Sequence, residues 1–439
     1  MRSFVWHPYT QMNEWPDFDI INQGKGMWLY STKRKKMLDG VASMWCNVWG
    51  HSKTELVDSI IRQSKQLQHS SLFNLTNDKA EALAEKLVKL ASGMHRVFYS
   101  DNGSTAMEIS AKMALQYWHN VGEKKRKTFV TFENGYHGDT AGSMSLGYVP
   151  GFFSIYKPML FSTIRTPSPI SYRVPHGYSY QDYQEFCLEE IENVLKKRHD
   201  VAAFVMESGA QVAGGVVIYP PRFQKKISQL CKKYNTLFVL DEIATGFGRL
   251  GSMIEYKAQQ SMPDIVSFGK MLSGGYIPIA VTLTNKKVYD AFLGQYHEMK
   301  HFFHGHTFTG NPLACSVSLT NLALYKKNKI ISTIQKRALQ FSKRIDEISS
   351  LDIVGDVRHK GMLMGIDLVS DKKTGRPISP KKKIHQKIFV EARRRGVYLR
   401  TLGSIVMLVP PLAISEKELD FLLDTTISTI KGVSKNIGI

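Results

Sequence analysis

Cysteine is scarce: four residues in 439, Cys46, Cys187, Cys231 and Cys315. They lie far apart, form no CxxC pair and share no tight cluster with histidine, so neither a disulfide framework nor a structural zinc site is expected. A reducing cytoplasm suits such a chain. Long hydrophobic runs are missing too. Nothing approaches the ~18 uninterrupted apolar residues of a membrane helix, and the opening MRSFVWHPYTQMNEW has no apolar stretch that would read as a secretory signal. A soluble, cytoplasmic protein without a membrane partner is expected. Acidic residues are the minority charge, 38 Asp+Glu against 58 Lys+Arg, which leaves a net +20. The basic excess is scattered in short runs at Lys33 to Lys36, Lys124 to Lys127, Lys196 to Arg198, Lys381 to Lys383 and Arg393 to Arg395. None is interleaved with stacking aromatics or set in a zinc-finger, RRM or KH pattern, so nucleic acid is not the expected partner. A lysine-rich solvated surface that draws small anions accounts for the charge. Internal repeats are absent.

What is present is an ordinary globular composition, 43% hydrophobic, in a chain too long for a single core. From about residue 78 to 285, apolar runs of strand length alternate with helical patterns, the mark of an α/β fold with a mostly parallel sheet. The expected strands are Arg96 to Ser100, Thr128 to Phe132, Val201 to Met206, Thr236 to Leu240, Asp264 to Phe268 and Ile277 to Thr284. Helices are expected over Asp78 to Leu90, with Leu83, Leu87 and Leu90 on one face, and over Ser104 to Trp118, with Ala106, Ile109, Met113 and Tyr117 on one face. Residues 150 to 182, rich in Pro, Ser and Tyr, read as a long ordered loop. Beyond 331 come a charged helix, strand candidates at Gly361 to Val369 and Gly396 to Val409, and a final helix from Ser415. The division expected is a large domain over 51–330, a smaller α+β domain over 331–439, and an N-terminal segment, 1–50, joining the smaller one.

Chemistry concentrates where the expected strands end. Asp241 closes one apolar run and Lys270 follows another, so both side chains should emerge at the carboxyl edge of the sheet, where open α/β sheets bind ligands. A lysine that can hold an aldehyde as a Schiff base, beside a carboxylate that keeps a pyridine nitrogen protonated, is the pair pyridoxal phosphate chemistry needs. Phe98 to Ala106 is a strand, a polar turn and a helix start, which brings free N–H groups and the Ser104 hydroxyl to one point, suited to phosphate or simply a capped helix. Tyr136, in Asn134-Gly135-Tyr136-His137-Gly138-Asp139, would lie at the same edge as a cofactor-stacking ring or a core aromatic. His137 reads as a hydrogen-bonded loop histidine, since no other His or Cys stands at ligand spacing, and no metal is expected. Glu207 ends a strand, either at the site or at an exposed strand end. Thr307, in a glycine-broken loop before a helix, could serve a phosphate or cap that helix, and Arg400 could grip a carboxylate or sit on a surface strand.

With those residues in place, the chain resembles the class III, fold type I, aminotransferases through LDEIATGFGRLG and SFGKMLSGGY. The likeness extends over essentially the whole length. A narrower resemblance, to members acting in biotin synthesis, runs through VWHPYTQM (5–12), DGVASMWCNVWGH (39–51), MALQYW (113–118), NGYHGDTAGSMS (134–145) and FHGHTFTGNPLAC (303–315). The resemblance implies pyridoxal 5'-phosphate as cofactor and transfer of an amino group to the ketone of 8-amino-7-oxononanoate. The implied donor is S-adenosylmethionine, with lysine as the alternative. By motif, Lys270 would bind the cofactor aldehyde, Asp241 would face its ring nitrogen, Gly103 and Ser104 would cradle the phosphate and Tyr136 would stack on the ring. Thr307 would arrive from the neighbouring subunit of a homodimer, while Tyr9, Asp139, Gly305 and Arg400 would line the substrate pocket. Four places depart from the common pattern. Met44-Trp45 replaces two tryptophans and His306 interrupts the HGPT form, both in the donor pocket, while Ser208 and Val212 replace a proline and a glycine after Glu207. Another class III ω-aminotransferase would use the same Asp241 and Lys270, but WHPYTQM argues against it. A basic binding protein that had lost catalysis would have a broken lysine or aspartate, and both are intact.

Overall fold

Seven strands in the middle of the chain share one sheet because apolar residues fill both of its faces. All seven residues of Val201–Glu207 are buried, as are all five of Leu237–Asp241 and all four of Ile265–Phe268, the pattern of a sheet covered on both sides. In the computed structural model, which describes residues 3–14 and 19–437, the order across this sheet is Arg96–Ser100, Ala280–Thr284, Ile265–Phe268, Leu237–Asp241, Val201–Glu207, Thr128–Phe132 and Ile164–Thr166. Neighbours run parallel except around Ala280–Thr284, which is antiparallel on both sides. The carboxyl ends of the other strands therefore open at one edge. The helix Gly103–Asn120 lies along the sheet with half of its residues buried. It is tied down by hydroxyls as well as by apolar packing: Ser110 meets Ser267 at 2.9 Å, and Thr282 donates to the Ala106 carbonyl at 2.9 Å.

Three smaller sheets accompany it among the described residues, the least of them the pair Ala210–Gln211 and Val217–Ile218. Ile21–Lys25, Trp28–Ser31 and Lys36–Asp39 form an antiparallel meander that takes Val397–Tyr398 as a fourth, parallel strand. The N-terminal strands are thus hydrogen-bonded to the C-terminal part of the chain. The third sheet runs Val354–Lys360, Leu363–Asp371, Ile405–Leu408, Arg400–Leu402, with Arg376–Pro377 pairing on Leu363–Asp371. The closing helix Glu416–Ile437 packs on Ile384–Arg394. Residues 1–2, 15–18 and 438–439, at the ends of and within the expected N- and C-terminal segments, lie outside the described residues.

Two expectations need correction. The 150–182 stretch holds more than a loop: Pro150–Phe153 is a helical turn and Ile164–Thr166 is the edge strand of the large sheet, pairing Val130 with Ile164. Three residues are too few to show a period, so only the sheet defines that strand. The single strand candidate Gly396 to Val409 is three short strands in two sheets. The chain crosses from Val397–Tyr398 to Arg400–Leu402 and reverses at Gly403, whose φ of 58° suits glycine. Among the described residues, no helix is long and apolar enough to cross a membrane, and no three His, Cys, Asp or Glu side chains are grouped to hold a metal.

Candidate active site

Where the parallel strands end, the chain forms a cavity of about 130 Å³, open to solvent on one side. Asp241, last residue of its strand and 5% exposed, points its carboxylate into this space. One oxygen meets His137 Nδ1 at 2.8 Å and the other accepts the Ile243 N–H at 2.9 Å. Lys270 begins the turn after Ile265–Phe268 and lines the same cavity. Its φ of 43° is unusual for a residue with a Cβ, and such strain concentrates where function fixes a side chain. Burial lowers the Lys270 ammonium below its ordinary pKa, while the charges of Asp241 and Glu207 work the other way. The Trp45 ring centre lies 5.5 Å from Nζ.

Glu207 stands beside Asp241 in the parallel register and is buried. It accepts the Tyr136 N–H at 3.3 Å and the Val212 N–H at 2.9 Å. Burial pushes its carboxyl up to about 7, helped by the nearby Asp241 charge and opposed by His137 and the two N–H donors. The exposed-strand-end alternative for Glu207 therefore does not hold. The neighbouring Ser208 is also buried, and its N–H donates to the Asp241 carbonyl at 2.8 Å.

The far side of the cavity is a helix N-terminus. Asn102 caps the helix Gly103–Asn120 by accepting the Thr105 N–H at 3.0 Å, and its carbonyl takes the Ala106 N–H. The Gly103 and Ser104 N–H groups precede any intrahelical partner and are free for an anion. A Cβ on Gly103 would meet Ile243 at 2.8 Å, and one on Gly138, at φ 124°, would meet Ser104 Oγ at 2.0 Å. Both glycines permit the close approach that forms the cradle. Thr245 lines the cavity with a buried hydroxyl that has no partner in the protein. An anionic terminus held at Ser104, a ring beside Tyr136 and Trp45, a ring nitrogen at Asp241 and an aldehyde at Lys270 account for this wall, so the residues present fit pyridoxal phosphate.

Tyr136 lines the cavity and stacks on Phe153 with 18° between the rings. Burial raises its hydroxyl well above the usual range. Nearer the surface, Tyr9 donates to Asp139 at 2.6 Å, and the Arg400 guanidinium stands 5.9 Å from the Tyr9 ring while donating to Met44 Sδ at 2.8 Å. The structure thus brings Gly103, Ser104, Tyr136, Asp241 and Lys270 together, with Tyr9, Asp139 and Arg400 as an outer group. The helix that follows Asp139, Ala141–Leu146, has Thr140 at its N-cap and no side-chain cap. Thr307 and Gly305 sit on an exposed loop and do not line this cavity. Sequence reasoning missed His137 as the partner of Asp241, and also Ile243, Ala244 and Thr245, which lie two to four residues past Asp241 and reach the site because the chain turns back there.

The chain matches the family model described as aminotransferase class-III over residues 10–430. It is 41% identical to the adenosylmethionine-8-amino-7-oxononanoate aminotransferase of Geobacter sulfurreducens, covering 98% of this chain and 97% of that one. Identity to the protein of the same name from Aquifex aeolicus is 40%, covering 99% and 97%. Among solved structures, the adenosylmethionine-8-amino-7-oxononanoate aminotransferase of Methanocaldococcus jannaschii superposes with a TM-score of 0.92 at 38% identity, covering 98% and 97%. A thermostable omega transaminase 4-fold mutant from Pseudomonas jessenii superposes at 0.95 but with 28% identity, covering 99% and 98%.

Proposed function

The chain belongs to the class III aminotransferases, and from that premise we propose that it moves an amino group from S-adenosylmethionine to 8-amino-7-oxononanoate, giving the 7,8-diamine of biotin synthesis. The observation that carries the reading is the joint placement of Lys270, Asp241 and Ser104 around one cavity, in a chain about 40% identical over nearly its full length to relatives named for this reaction. The omega transaminase shares the fold more closely than the sequence, so shape alone does not select the substrate.

Pyridoxal phosphate, bound here, would supply an aldehyde that captures amines and a ring that delocalises the electrons left when the amine-bearing carbon loses its proton. Lys270 would hold the aldehyde between turnovers and, when free, carry the proton to and from carbon on Nζ. Its lowered pKa favours the neutral amine that this shuttle requires. Asp241, fixed by His137 and the Ile243 N–H, would keep a negative charge against the ring nitrogen. Ser104 with the Gly103 and Ser104 N–H groups would anchor the phosphate, and Tyr136 would cover the ring. Tyr9 and Asp139 would receive the substrate's amine end, and Arg400 its carboxylate as a two-pronged donor.

Supporting a homodimer with shared sites, Phe73, Leu75, Phe303 and Phe308 are 55–65% exposed around the Thr307 loop. A covering copy would bury those rings and bring Thr307 and Gly305 to the other subunit's phosphate and substrate. Four free cysteines suit a cytoplasmic enzyme. The test is product analysis: purified enzyme incubated with 8-amino-7-oxononanoate and either S-adenosylmethionine or lysine should yield the diamine with the first donor. Diamine formed with lysine alone would reassign the donor, and no diamine with either would refute the substrate.

A further inference from the structure

Between the strand Lys36–Asp39 and the cavity, the backbone takes a strained path. Ala42 (φ 49°), Ser43 (φ 61°, ψ −76°) and Trp45 (φ 64°) all lie at positive φ, and none is glycine. Side chains with a Cβ stay there only when their surroundings over-determine them.

Asp39 does the determining. Its carboxylate is fully buried, at 0% exposure. Both oxygens accept the Ser43 N–H, at 2.9 and 2.7 Å, and the group also takes the Ser43 hydroxyl at 3.1 Å and the Val41 N–H at 3.3 Å. His51 Nε2 stands 3.1 Å from it and is itself fixed, because His51 and Gly26 exchange backbone hydrogen bonds at 2.7 and 3.1 Å. A buried arginine, Arg249 at 1% exposure, donates to the carbonyls of Met362 and Pro410, keeps Nε and Nη2 unpartnered, and lies within electrostatic reach of Asp39. Asp39 does not line the cavity.

At its far end the strained turn delivers two side chains. Trp45 lines the cavity 5.5 Å from Lys270 Nζ, with its indole N–H buried and unpartnered. Met44 presents Sδ to Arg400, which stands over Tyr9. One buried carboxylate therefore sets both the wall beside the lysine and the neighbour of the arginine.

We propose that Asp39 is a positioning residue for amino-group transfer: by locking the Ala42–Trp45 turn it holds Trp45 against Lys270 and Met44 against Arg400. The inference rests on the aminotransferase reading. Asp39 acts on orientation, and small misplacements of reacting groups are costly even when nothing in direct contact has changed.

The test loads wild type, Asp39→Ala and Ser43→Gly with cofactor and measures three things: bound cofactor by absorbance, melting temperature, and the single-turnover rate with amine donor per loaded site. Asp39→Ala should bind cofactor with an unaltered spectrum yet react about 10²-fold more slowly. Ser43→Gly should fold normally, since glycine accepts positive φ freely, and still react several-fold more slowly because the turn is released. A merely structural role would move the melting temperature and leave the rate per loaded site alone. Wild-type rates in both variants overturn the inference, and if Asp39→Ala fails to fold, Ser43→Gly alone decides. A wild type that reacts with no amine overturns the parent reading and this inference with it, whereas a reactive wild type matched by its variants overturns this inference only.

Discussion

Lys270, Asp241 and His137 line one cavity, with Asp241 hydrogen-bonded to His137, and single substitutions test the role proposed for each. Lys270→Ala should abolish turnover, because among the described residues no other amine lines the cavity. His137→Ala leaves Asp241 in place with one hydrogen bond fewer, so cofactor should still bind while the rate falls by about 10- to 100-fold, read by stopped-flow absorbance. Unchanged kinetics would remove His137 from the account. Glu207 gives a pH prediction. Its folded-state pKa, about 7, lies above the ordinary 4.5. Below about 4.5 the carboxyl is neutral folded and unfolded; between 4.5 and 7 only the unfolded chain ionises, so stability falls as pH climbs through that window. Glu207→Gln should flatten this slope, measured as a smaller difference in urea midpoint between pH 5 and pH 8. An identical slope in both proteins would contradict it. Asp241 and Lys270 were readable from sequence because each sits at the end of an apolar run. His137 was not, because a loop histidine looks the same whether it meets solvent or a buried carboxylate.

Among the elements, the N-terminus of the helix Gly103–Asn120 and the loop carrying Gly138 meet at the proposed phosphate cradle. Gly138→Ala puts a Cβ 2.0 Å from Ser104 Oγ at a φ of 124°, so it should weaken cofactor affinity at least tenfold by equilibrium dialysis and lower stability by more than about 1 kcal/mol. Asn102→Ala removes a cap alone and should cost about 1 kcal/mol with a milder effect on affinity. Equal cofactor affinity in Gly138→Ala and wild type would contradict the cradle. The strands and helices of the large sheet were legible because burial on both faces writes uninterrupted apolar runs. Ile164–Thr166 was hidden because an edge strand of three residues carries no period, and Gly396 to Val409 misread because two sheets share it.

For the whole molecule, the exposed aromatics around Thr307 and the absence of Thr307 from its own cavity make the dimer a prediction with a sharp genetic test. Lys270→Ala and Thr307→Glu proteins should each be inactive alone. Unfolded and reassembled together, they should regain about a quarter of wild-type activity, since about half the dimers are mixed and each mixed dimer holds one intact site. No recovery would place Thr307 in its own subunit's site, and an active Thr307→Glu protein would place it outside the reaction. Tyr9 entered only through a family motif, and the reading of Arg400 stayed open in the sequence, because an isolated surface side chain does not show its neighbours; the fold sets Tyr9 against Asp139 and beneath Arg400.

Amino transfer through Lys270 to 8-amino-7-oxononanoate is tested most directly by one single-turnover experiment. The cofactor-loaded protein is mixed with S-adenosylmethionine, the absorbance of the lysine-bound cofactor is followed, and 8-amino-7-oxononanoate is then added. Bleaching by the donor and recovery on adding the ketone are expected, with neither change in Lys270→Ala. Bleaching by alanine or ornithine but by neither S-adenosylmethionine nor lysine, with no recovery on 8-amino-7-oxononanoate, would contradict this transfer and leave only the class III assignment.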